Sequence, residues 1–270
     1  GGDAQGVTGL ATRGLWAYEG KALFIVNGVE MPELLYGNTP LAHRFPVENI
    51  SKIEIIRGPG SAIYGGFAET AVIKISMLDA SNLKNNFGAS LTYGQGTERF
   101  RTSGTFAYAG GDKVKFTLGG HAANGLQGDQ NYVVPGGTIP TMRDQSGTKS
   151  SSMYFGINTE KLSVSGNFEH LFYQNPDTAV GAIRQDTEFN TAGITGKYTI
   201  NISENFKVTP TFSWLRSNPW VLKWNDAGTD YTKSRAVVRT SYGASASWTI
   251  NKQFDLNFGF LHYGDSASVA

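Results

Sequence analysis

A glycine-rich stretch, Ile53 to Gly66, carries the residue types in this sequence that most often do chemistry. It reads IEIIRGPGSAIYGG, an apolar run followed by a loop of the kind whose backbone amides can hold a phosphate. A P-loop requires Lys and then Ser or Thr after its last spaced glycine, but a glycine and Phe67 stand at those two positions. A dinucleotide-binding loop requires a third glycine where Ile63 stands. Pro59 also removes one amide donor, so the stretch predicts a packing role rather than phosphate binding.

The same stretch fits a tight turn followed by one helical turn that a serine can cap and a glycine can end. The residues of this unit are Gly58, Pro59, Gly60, Ser61, Tyr64 and Gly65. No acidic and basic side chains are spaced for acid–base catalysis there, so we predict no catalytic residue.

Metal, cofactor and nucleic-acid chemistry have little support in the composition. The sequence has no cysteine, which excludes disulfides and thiolate metal sites. Its four histidines, His43, His121, His170 and His262, are too scattered to predict a metal or haem site. The charge is nearly balanced, with 23 basic and 22 acidic residues, whereas nucleic-acid-binding domains usually carry a basic excess.

The elements that position the glycine stretch predict a small α+β domain over residues 1–80. An apolar strand at 22–26 is followed by Asn27 and Gly28, a strong hairpin signal. Pro46 can start a short helical turn with Glu48 in its first turn. Two more strands follow, around Ile53 and in the run AVIKISM.

From Phe87 onward apolar and polar residues alternate, which is typical of strands with one apolar and one polar face. In the run KLSVSGNFEH, for example, Leu162 and Phe168 fall on one face while Asn167 and Glu169 fall on the other. Most of these strands reach the ~9–11 residues that a tilted membrane-spanning strand needs. We predict strands at roughly 87–94, 99–109, 113–123, 151–159, 162–174, 188–200, 206–216, 235–249 and 254–263.

The connections between these strands alternate between short turns and long loops, the long ones being 124–150, 175–187 and 217–234. Such segregation is typical of outer-membrane barrels, whose long loops lie outside the cell. The predicted fold is therefore mainly β: a transmembrane antiparallel β-barrel, of which residues 81–270 supply the first strands. Because an open sheet of nine strands leaves two edges unpaired in lipid, we expect the sequence to be a piece of a longer chain. Aromatic residues near the strand ends predict interfacial girdles, namely Tyr93, Tyr108, Tyr173, Trp214 and Trp248.

Two stretches, ALFIVNGVEM and FPVENISKIEIIRGPGSAIYGGFAETAVIKI, resemble the C-terminal half of the plug domain of TonB-dependent outer-membrane receptors, so residues 1–80 correspond to the C-terminal part of that plug. The close resemblance covers about residues 13–75, and the remainder of the chain agrees in pattern only. Asn27 stands where the family usually has Asp, and Lys74 where it usually has Asn. The residues that carry the plug motif are Arg13, Gly14, Asn27, Gly28, Glu54, Arg57, Gly58, Pro59, Gly60, Ser61, Tyr64 and Gly65.

The resemblance implies a receptor in the outer membrane of a Gram-negative bacterium, with a plug that gates a barrel surrounded by lipid. It implies uptake of a scarce extracellular nutrient, such as a ferric siderophore or another metal chelate, with no cofactor. TonB would be the energising partner through an N-terminal box, which is not recognisable in this sequence. An alternative is a plug-bearing binding or adhesion protein without energised transport. A third hypothesis, an enzyme that uses the glycine loop, predicts micromolar affinity for ATP or NAD.

The resemblance also implies functional residues. Two plug arginines of the family face carboxylates of the barrel wall, and by motif these are Arg13 and Arg57. Glu169 is one candidate partner, and the plainer alternative is that it only lines a wet lumen. Aromatic and histidine side chains near the plug apices and in one long loop are candidates for contact with the cargo. These are Trp16, Tyr18, Tyr36, His43, Trp220, Trp224 and Tyr231.

Overall fold

The computed structural model contains two main sheets and very little helix. The residues it describes are 11–12, 15–16, 21–35, 37–39, 44–58, 60, 64–79, 82–83, 85–96, 99–126, 128, 132–134, 137–139, 145–177, 183–251 and 253–269. Within these ranges, no helix has both the length and the apolar character needed to cross a membrane.

The smaller sheet, called the plug sheet below, contains four strands within the described residues. They are β1 (Ala22–Val26), β2 (Val29–Glu30), β3 (Ile50–Arg57) and β4 (Ala71–Met77). The order across the sheet is β2-β1-β4-β3, in which β1 and β4 are parallel and the other neighbours are antiparallel. Every residue of β1 is buried, as expected for an apolar strand covered on both faces.

Local sequence signals set the turns of the plug sheet. Asn27 and Gly28 join β1 to β2, and their φ angles of 48° and 88° are those of a type I′ turn. A 3₁₀ helix at Val47–Asn49 follows Pro46 and has Glu48 in its first turn. Both features confirm the predictions from the sequence.

The larger sheet, called the wall sheet below, has nine long strands in the described part of the chain, each antiparallel to the next in sequence. All nine were predicted from the alternation of apolar and polar residues. They are β5 (Phe87–Gly96), β6 (Arg99–Gly110), β7 (Lys115–Leu126), β8 (Gly147–Asn158), β9 (Leu162–Asp177), β10 (Ile183–Tyr198), β11 (Phe206–Asp226), β12 (Arg235–Asn251) and β13 (Phe254–Val269).

Short strands complete the described secondary structure. Ile200–Asn201 and Thr229–Lys233 both pair with β11. Ala11–Thr12 pairs with Leu15–Trp16, and Tyr132–Val134 pairs with Gly137–Ile139.

The wall strands run further toward the long connections than the sequence predicted. β10 begins at Ile183 rather than near 188, and β11 continues to Asp226 rather than ending near 216. The predicted loops 175–187 and 217–234 were therefore wrong over much of their length, because both contain paired strand. Alternation of apolar and polar residues marks only the part of a strand whose two faces differ in polarity, so it gives no signal where a hairpin continues with two polar faces.

The two faces of the wall sheet differ in polarity as predicted. In β9 the outward Phe168 is 43% exposed, whereas the neighbouring Asn167 faces the plug sheet and is only 2% exposed. Tyr173 also faces inward, where it is buried beside Leu171 and Phe189, so its assignment to an outer aromatic girdle was wrong. The reason is parity, since residues 167, 169, 171 and 173 all lie on the same face of β9.

The plug sheet packs directly on the inward face of the wall sheet. One face of the plug sheet, which includes Phe24, Val26 and Met31, forms a single buried cluster with Tyr154 and Leu215 of the wall sheet. The other face forms a second cluster within the plug sheet alone, made of Leu23, Ile25, Ala68 and Val72 with Tyr64 and Phe67 against it.

Candidate functional site

The amides of the glycine stretch are already used inside the plug sheet. The N–H of Gly58 donates to the carbonyl of Thr70 at 2.9 Å, and the N–H of Gly60 donates to that of Ala68 at 2.8 Å. A Cβ at position 60 would lie only 2.9 Å from a methyl carbon of Val72. The stretch therefore packs against its own sheet, which argues against a phosphate cradle.

The remaining motif residues of the stretch have local structural roles. Gly58 and Gly65 have φ angles of 112° and 86°, which favour glycine. The N–H of Tyr64 donates to Gly60, consistent with the predicted helical turn that ends at Gly65. Glu54 pairs with Lys52 at 2.9 Å on the exposed side of β3. Pro59 and Ser61 lie outside the described residues.

A buried ion pair joins the two sheets. The Arg44 Nε lies 2.5 Å from the Glu169 Oε2, and the two side chains are 2% and 4% exposed. The guanidinium also donates to the carbonyl of Met31 at 3.4 Å and lies over the ring of Phe45. Two opposite charges enclosed together with hydrogen-bond partners can be tolerated in a protein interior, whereas either charge alone cannot.

This pair changes the expected partners of Glu169. The carboxylate faces the plug sheet, but it contacts Arg44 rather than Arg57, which is exposed at the end of β3. Arg13 and Gly14 lie outside the described residues, and a wall contact for Arg13 or Arg57 stays a prediction. Arg44 was missed because it is separated from Glu169 by 125 positions and has no local signal.

Side-chain amides also bridge the two sheets. The Asn167 Nδ2 donates to the carbonyl of Val26 at 3.0 Å. From the plug side, the Asn49 Nδ2 lies 3.1 Å from the carbonyls of both Phe106 and Gly120. Each amide thereby links a side chain of one sheet to the backbone of the other.

Arg239 of β12 contacts wall and plug together. It makes two hydrogen bonds of 2.8 Å to Asp265 on β13, and its guanidinium carbon lies 4.6 Å from the centre of the Tyr263 ring. On the plug side, the Arg239 Nη1 lies 3.9 Å from the Glu30 Oε2, and the guanidinium carbon lies 5.6 Å from the centre of the Phe67 ring. Burial raises the pKa of the Glu30 carboxyl above its ordinary value, although Arg239 opposes this rise.

The hairpin formed by β1 and β2 approaches the wall sheet closely at a glycine. A Cβ at position 193 would lie 2.5 Å from the Val29 Cγ1 and 3.1 Å from the Leu215 Cδ1. Gly193 therefore provides the space in which Val29 packs against β10.

Aromatic residues gather on the inward side of the wall sheet near the long connections. Trp220 packs edge-on against Phe189, with ring centres 4.8 Å apart, and joins the cluster that contains Tyr173. Its φ of 53° is rare for a bulky residue, and it lies at a bulge between β10 and β11. Further along β11, where it pairs with Thr229–Lys233, Trp224 stacks on Tyr231 with ring centres 5.3 Å apart.

Three buried polar groups in this region have no hydrogen-bond partner among the residues that the structure describes. They are the indole N–H of Trp220 and the hydroxyls of Thr187 and Ser217. Of the other candidate contact residues, Trp16 is described by its backbone only, and Tyr18, Tyr36 and His43 lie outside the described residues. The structure thus brings Trp224 and Tyr231 together and places Trp220 in a separate aromatic cluster.

The described residues contain no group of three or more His, Cys, Asp or Glu side chains that could hold a metal ion.

Comparison with known proteins identifies the N-terminal part of the chain. Residues 1–72 match the family model described as the TonB-dependent receptor plug domain. The chain carries a TonB-dependent receptor plug domain. The strands that follow have the fold of the barrel wall of such receptors, as the solved structures show.

The FrpB iron transporter from Neisseria meningitidis (F3-3 variant) matches with a TM-score of 0.62 and 13% identity, over 98% of this chain and 55% of that one. A mutant of the ferric enterobactin receptor PfeA from Pseudomonas aeruginosa matches with a TM-score of 0.61 and 11% identity, over 92% of this chain and 41% of that one. The copper transporter OprC matches with a TM-score of 0.61 and 12% identity, over 98% of this chain and 51% of that one.

At these identities the likeness establishes the fold, which is a plug domain with part of a β-barrel wall. The chain spans about half the length of the solved structures it matches.

Proposed function

We propose that the protein is a TonB-dependent receptor of the Gram-negative outer membrane that takes up a metal chelate, such as a ferric siderophore. The observation that carries the proposal is the packing of a plug sheet on the polar inward face of a wall whose outward face is apolar. The names of the similar structures, an iron transporter, a ferric enterobactin receptor and a copper transporter, favour a metal or metal-chelate cargo.

In this proposal residues 1–80 are the plug and residues 81–270 are the first strands of the barrel. TonB would act on the plug from the inner side, and lipid would surround the outward face. The plug would rearrange while the wall stays in place, so no covalent bond of the cargo needs to break and no catalytic residue is expected.

The cargo would bind among aromatic side chains on the side of the long connections. Trp224 and Tyr231 offer a stacked pair there, and Trp220 lies in a strained bulge with an indole N–H that has no partner among the described residues. Backbone strain of this kind often accompanies a binding function. Trp16, Tyr18, Tyr36 and His43 are further candidates on the plug side.

An uptake assay tests the proposal. Cells that express the full-length protein should accumulate radiolabelled ferric siderophore, and dissipating the proton gradient or deleting TonB should abolish accumulation while leaving surface binding. Accumulation that is independent of both would overturn energised transport. Binding without any accumulation would instead favour the alternative, a plug-bearing binding protein.

Substitution of the stacked pair locates the binding region. Trp224→Ala with Tyr231→Ala should weaken chelate binding about tenfold or more, since each aromatic contact supplies about 0.5–1.5 kcal/mol beyond the area it buries. Tyr198→Ala, an exposed aromatic at the opposite end of the wall, is the matched control and should leave binding unchanged.

A further inference from the structure

The inward face of β5, β6, β7 and β8 is lined by small polar side chains, and we call this surface the hydroxyl sector. Four of its members are paired directly from strand to strand, so they lie at one level, and the last of them pairs with Glu169, which faces the plug sheet. The buried and half-buried members of the sector include Ser90, Thr105, His121, Thr148, Ser150 and Ser152.

Side chains of the hydroxyl sector bond to one another. The Ser90 Oγ lies 2.6 Å from the Thr105 Oγ1. The two ring nitrogens of His121 lie 2.7 Å from the Ser152 Oγ and 3.3 Å from the Ser150 Oγ. Such groups can exchange one hydrogen-bond partner for water or a polar ligand with little net change in free energy. The sector is therefore a surface suited to a ligand that forms hydrogen bonds.

The 3₁₀ helix Val47–Asn49 of the plug meets this sector through polar contacts. The Asn49 Nδ2 lies 3.1 Å from the carbonyls of both Phe106 and Gly120. The Thr92 Oγ1 donates to the Glu48 Oε1, also at 3.1 Å. Water can replace each of these bonds, so the helix can leave the wall here at a small cost.

The contacts of the plug with β9, β10 and β11 are of a different kind. Val29 packs in the space above Gly193, and Leu215 belongs to the buried apolar cluster that joins the two sheets. The ion pair of Arg44 with Glu169 is enclosed. Entry of water would expose apolar surface and separate two buried charges, so this side of the plug is the more costly one to withdraw.

Tyr154 lies at the boundary between the two kinds of contact. Its ring belongs to the buried cluster shared with the plug, and it lies over Gly119, where a Cβ would overlap it. Its hydroxyl is buried and has no hydrogen-bond partner among the residues that the structure describes. This hydroxyl is therefore available to a ligand that moves along the sector.

The charges of the hydroxyl sector are positive. Among the inward side chains described on these four strands, Arg101 lies toward the long connections and Lys115 toward the short turns, and none is a carboxylate. Glu48 of the 3₁₀ helix interacts electrostatically with Arg101. Withdrawal of this helix would leave a surface that attracts anions and repels cations.

We propose that the hydroxyl sector is the surface along which the cargo passes the plug. The 3₁₀ helix moves away from it, while the hairpin of β1 and β2 stays on β10 and β11. The cargo is a neutral or anionic chelate that presents hydrogen-bonding groups. The inference rests on the proposed function, to which it adds the route through the lumen and the charge of the cargo.

Accessibility of single thiols tests the route. Ser150 lies in the hydroxyl sector and Ser241 lies on β12 beside the hairpin of the plug; they are 4% and 6% exposed, and this sequence contains no cysteine. In cells that express the full-length protein, 2-sulfonatoethyl methanethiosulfonate should modify Ser150→Cys at least tenfold faster with TonB and the proton gradient than without either. Ser241→Cys is the matched control and should react equally slowly in both states.

The same variants test the charge of the route. With Ser150→Cys in energised cells, the anionic reagent should react at least threefold faster than its trimethylammonium analogue, after each rate is divided by the rate with free cysteine. The route is overturned if Ser241→Cys becomes as reactive as Ser150→Cys, or if the reactivity of Ser150→Cys does not depend on TonB and the gradient. A faster reaction with the cationic reagent overturns the assignment of the cargo charge.

Two covalent locks provide an independent test. Glu48→Cys with Thr92→Cys, bridged by a short bifunctional methanethiosulfonate, should stop uptake of radiolabelled ferric siderophore until a reductant is added. Val29→Cys with Gly193→Cys is the matched lock on the other side, where the two side chains are close enough for a disulfide, and it should leave uptake in place. Block of uptake by the second lock would show that the whole plug must leave, and it would overturn the proposal.

Uptake by the unlocked protein keeps this proposal apart from the proposed function. Uptake that depends on TonB, with no reaction at Ser150→Cys, would leave the receptor in place and overturn the route. Reaction at Ser150→Cys that depends on TonB, in a protein that takes up no chelate, would support the route and count against the chelate as cargo.

Discussion

Glu169 and Arg44 are the residues whose chemistry most directly holds the plug to the wall. Both charges are enclosed, and they come from opposite sides of the interface. Since the attraction within the pair must offset the desolvation of both charges, the pair specifies where the plug lies more than it adds net stability. Loss of one partner should therefore be far more damaging than loss of both.

Glu169→Ala should lower the free energy of unfolding by about 3–5 kcal/mol, because it leaves the Arg44 guanidinium buried without its carboxylate. Urea unfolding of the full-length protein in detergent micelles measures this change. Glu188→Ala is the matched control, since the Lys223 side chain that it pairs with is 47% exposed, and the pair should be worth at most about 1 kcal/mol.

The joint replacement Arg44→Met with Glu169→Leu completes this test. It removes both charges and keeps similar volumes, so most of the lost stability should return. Equal losses for Glu169→Ala and Glu188→Ala would show that the buried pair does not hold the interface.

Gly193 offers a second test at the scale of single residues. Gly193→Ala places a methyl group 2.5 Å from the Val29 Cγ1, so the hairpin of the plug must shift, at a cost of about 1–3 kcal/mol. Gly196→Ala on the same strand meets nothing closer than 3.9 Å and should change the unfolding free energy by less than about 0.5 kcal/mol. Indistinguishable unfolding curves for the two variants would contradict this close packing.

Single residues were predictable from the sequence only where the signal is local. Asn27 and Gly28 identify their turn because the two positions need positive φ angles. Arg44 could not be assigned, since a contact across 125 positions depends on how the whole wall curves around the plug.

At the scale of elements, the hairpin of β1 and β2 places Glu30 beside Arg239 of the wall. Since burial raises the pKa of Glu30, the folded protein binds this proton more readily than the unfolded chain does. The contribution of Glu30 to the free energy of unfolding is therefore most favourable when Glu30 is protonated, and it declines as pH rises above 4.5 toward the raised pKa.

Thermal unfolding in micelles between pH 4 and pH 8 measures this dependence. Glu30→Gln should flatten the decline with rising pH, because the amide imitates the protonated carboxyl. An unchanged pH profile in Glu30→Gln would show that Glu30 does not contribute.

Glu54 on β3 is the control with the opposite sign. Its hydrogen bond to Lys52 lowers the pKa, so its contribution is present above pH 4.5 and is lost as pH falls through the lowered value. Glu54→Gln should therefore remove a small stabilisation at neutral pH and have no effect in acid.

The strands themselves were the most predictable feature of the molecule. All nine wall strands follow from alternation, because an apolar outward face and a polar inward face impose a period of two on the sequence. The extensions of β10 and β11 were not predictable, because the alternation disappears where the two faces of a hairpin no longer differ in polarity.

At the scale of the whole molecule, the proposed function places the wall between lipid and the plug. Phe168→Arg on the outward face of β9 should destabilise the membrane-inserted protein by about 2–4 kcal/mol if the residue lies near the bilayer midplane. Urea unfolding from lipid vesicles measures this value. Glu160→Arg in the adjacent exposed turn is the control and should change it by less than about 0.5 kcal/mol. Equal stability of both variants would contradict a lipid-facing β9.

The parallel pairing of β1 with β4 has a mechanical consequence. Ala22 lies opposite Ala71 and Val26 opposite Ile75, while the chain enters β1 at one end of the pair and leaves β4 toward the wall at the other. Tension applied ahead of β1 and resisted by the wall would act along both strands, so it would load their hydrogen bonds together in shear. Those two strands should yield last under force, and segments of the plug outside this pair should extend first.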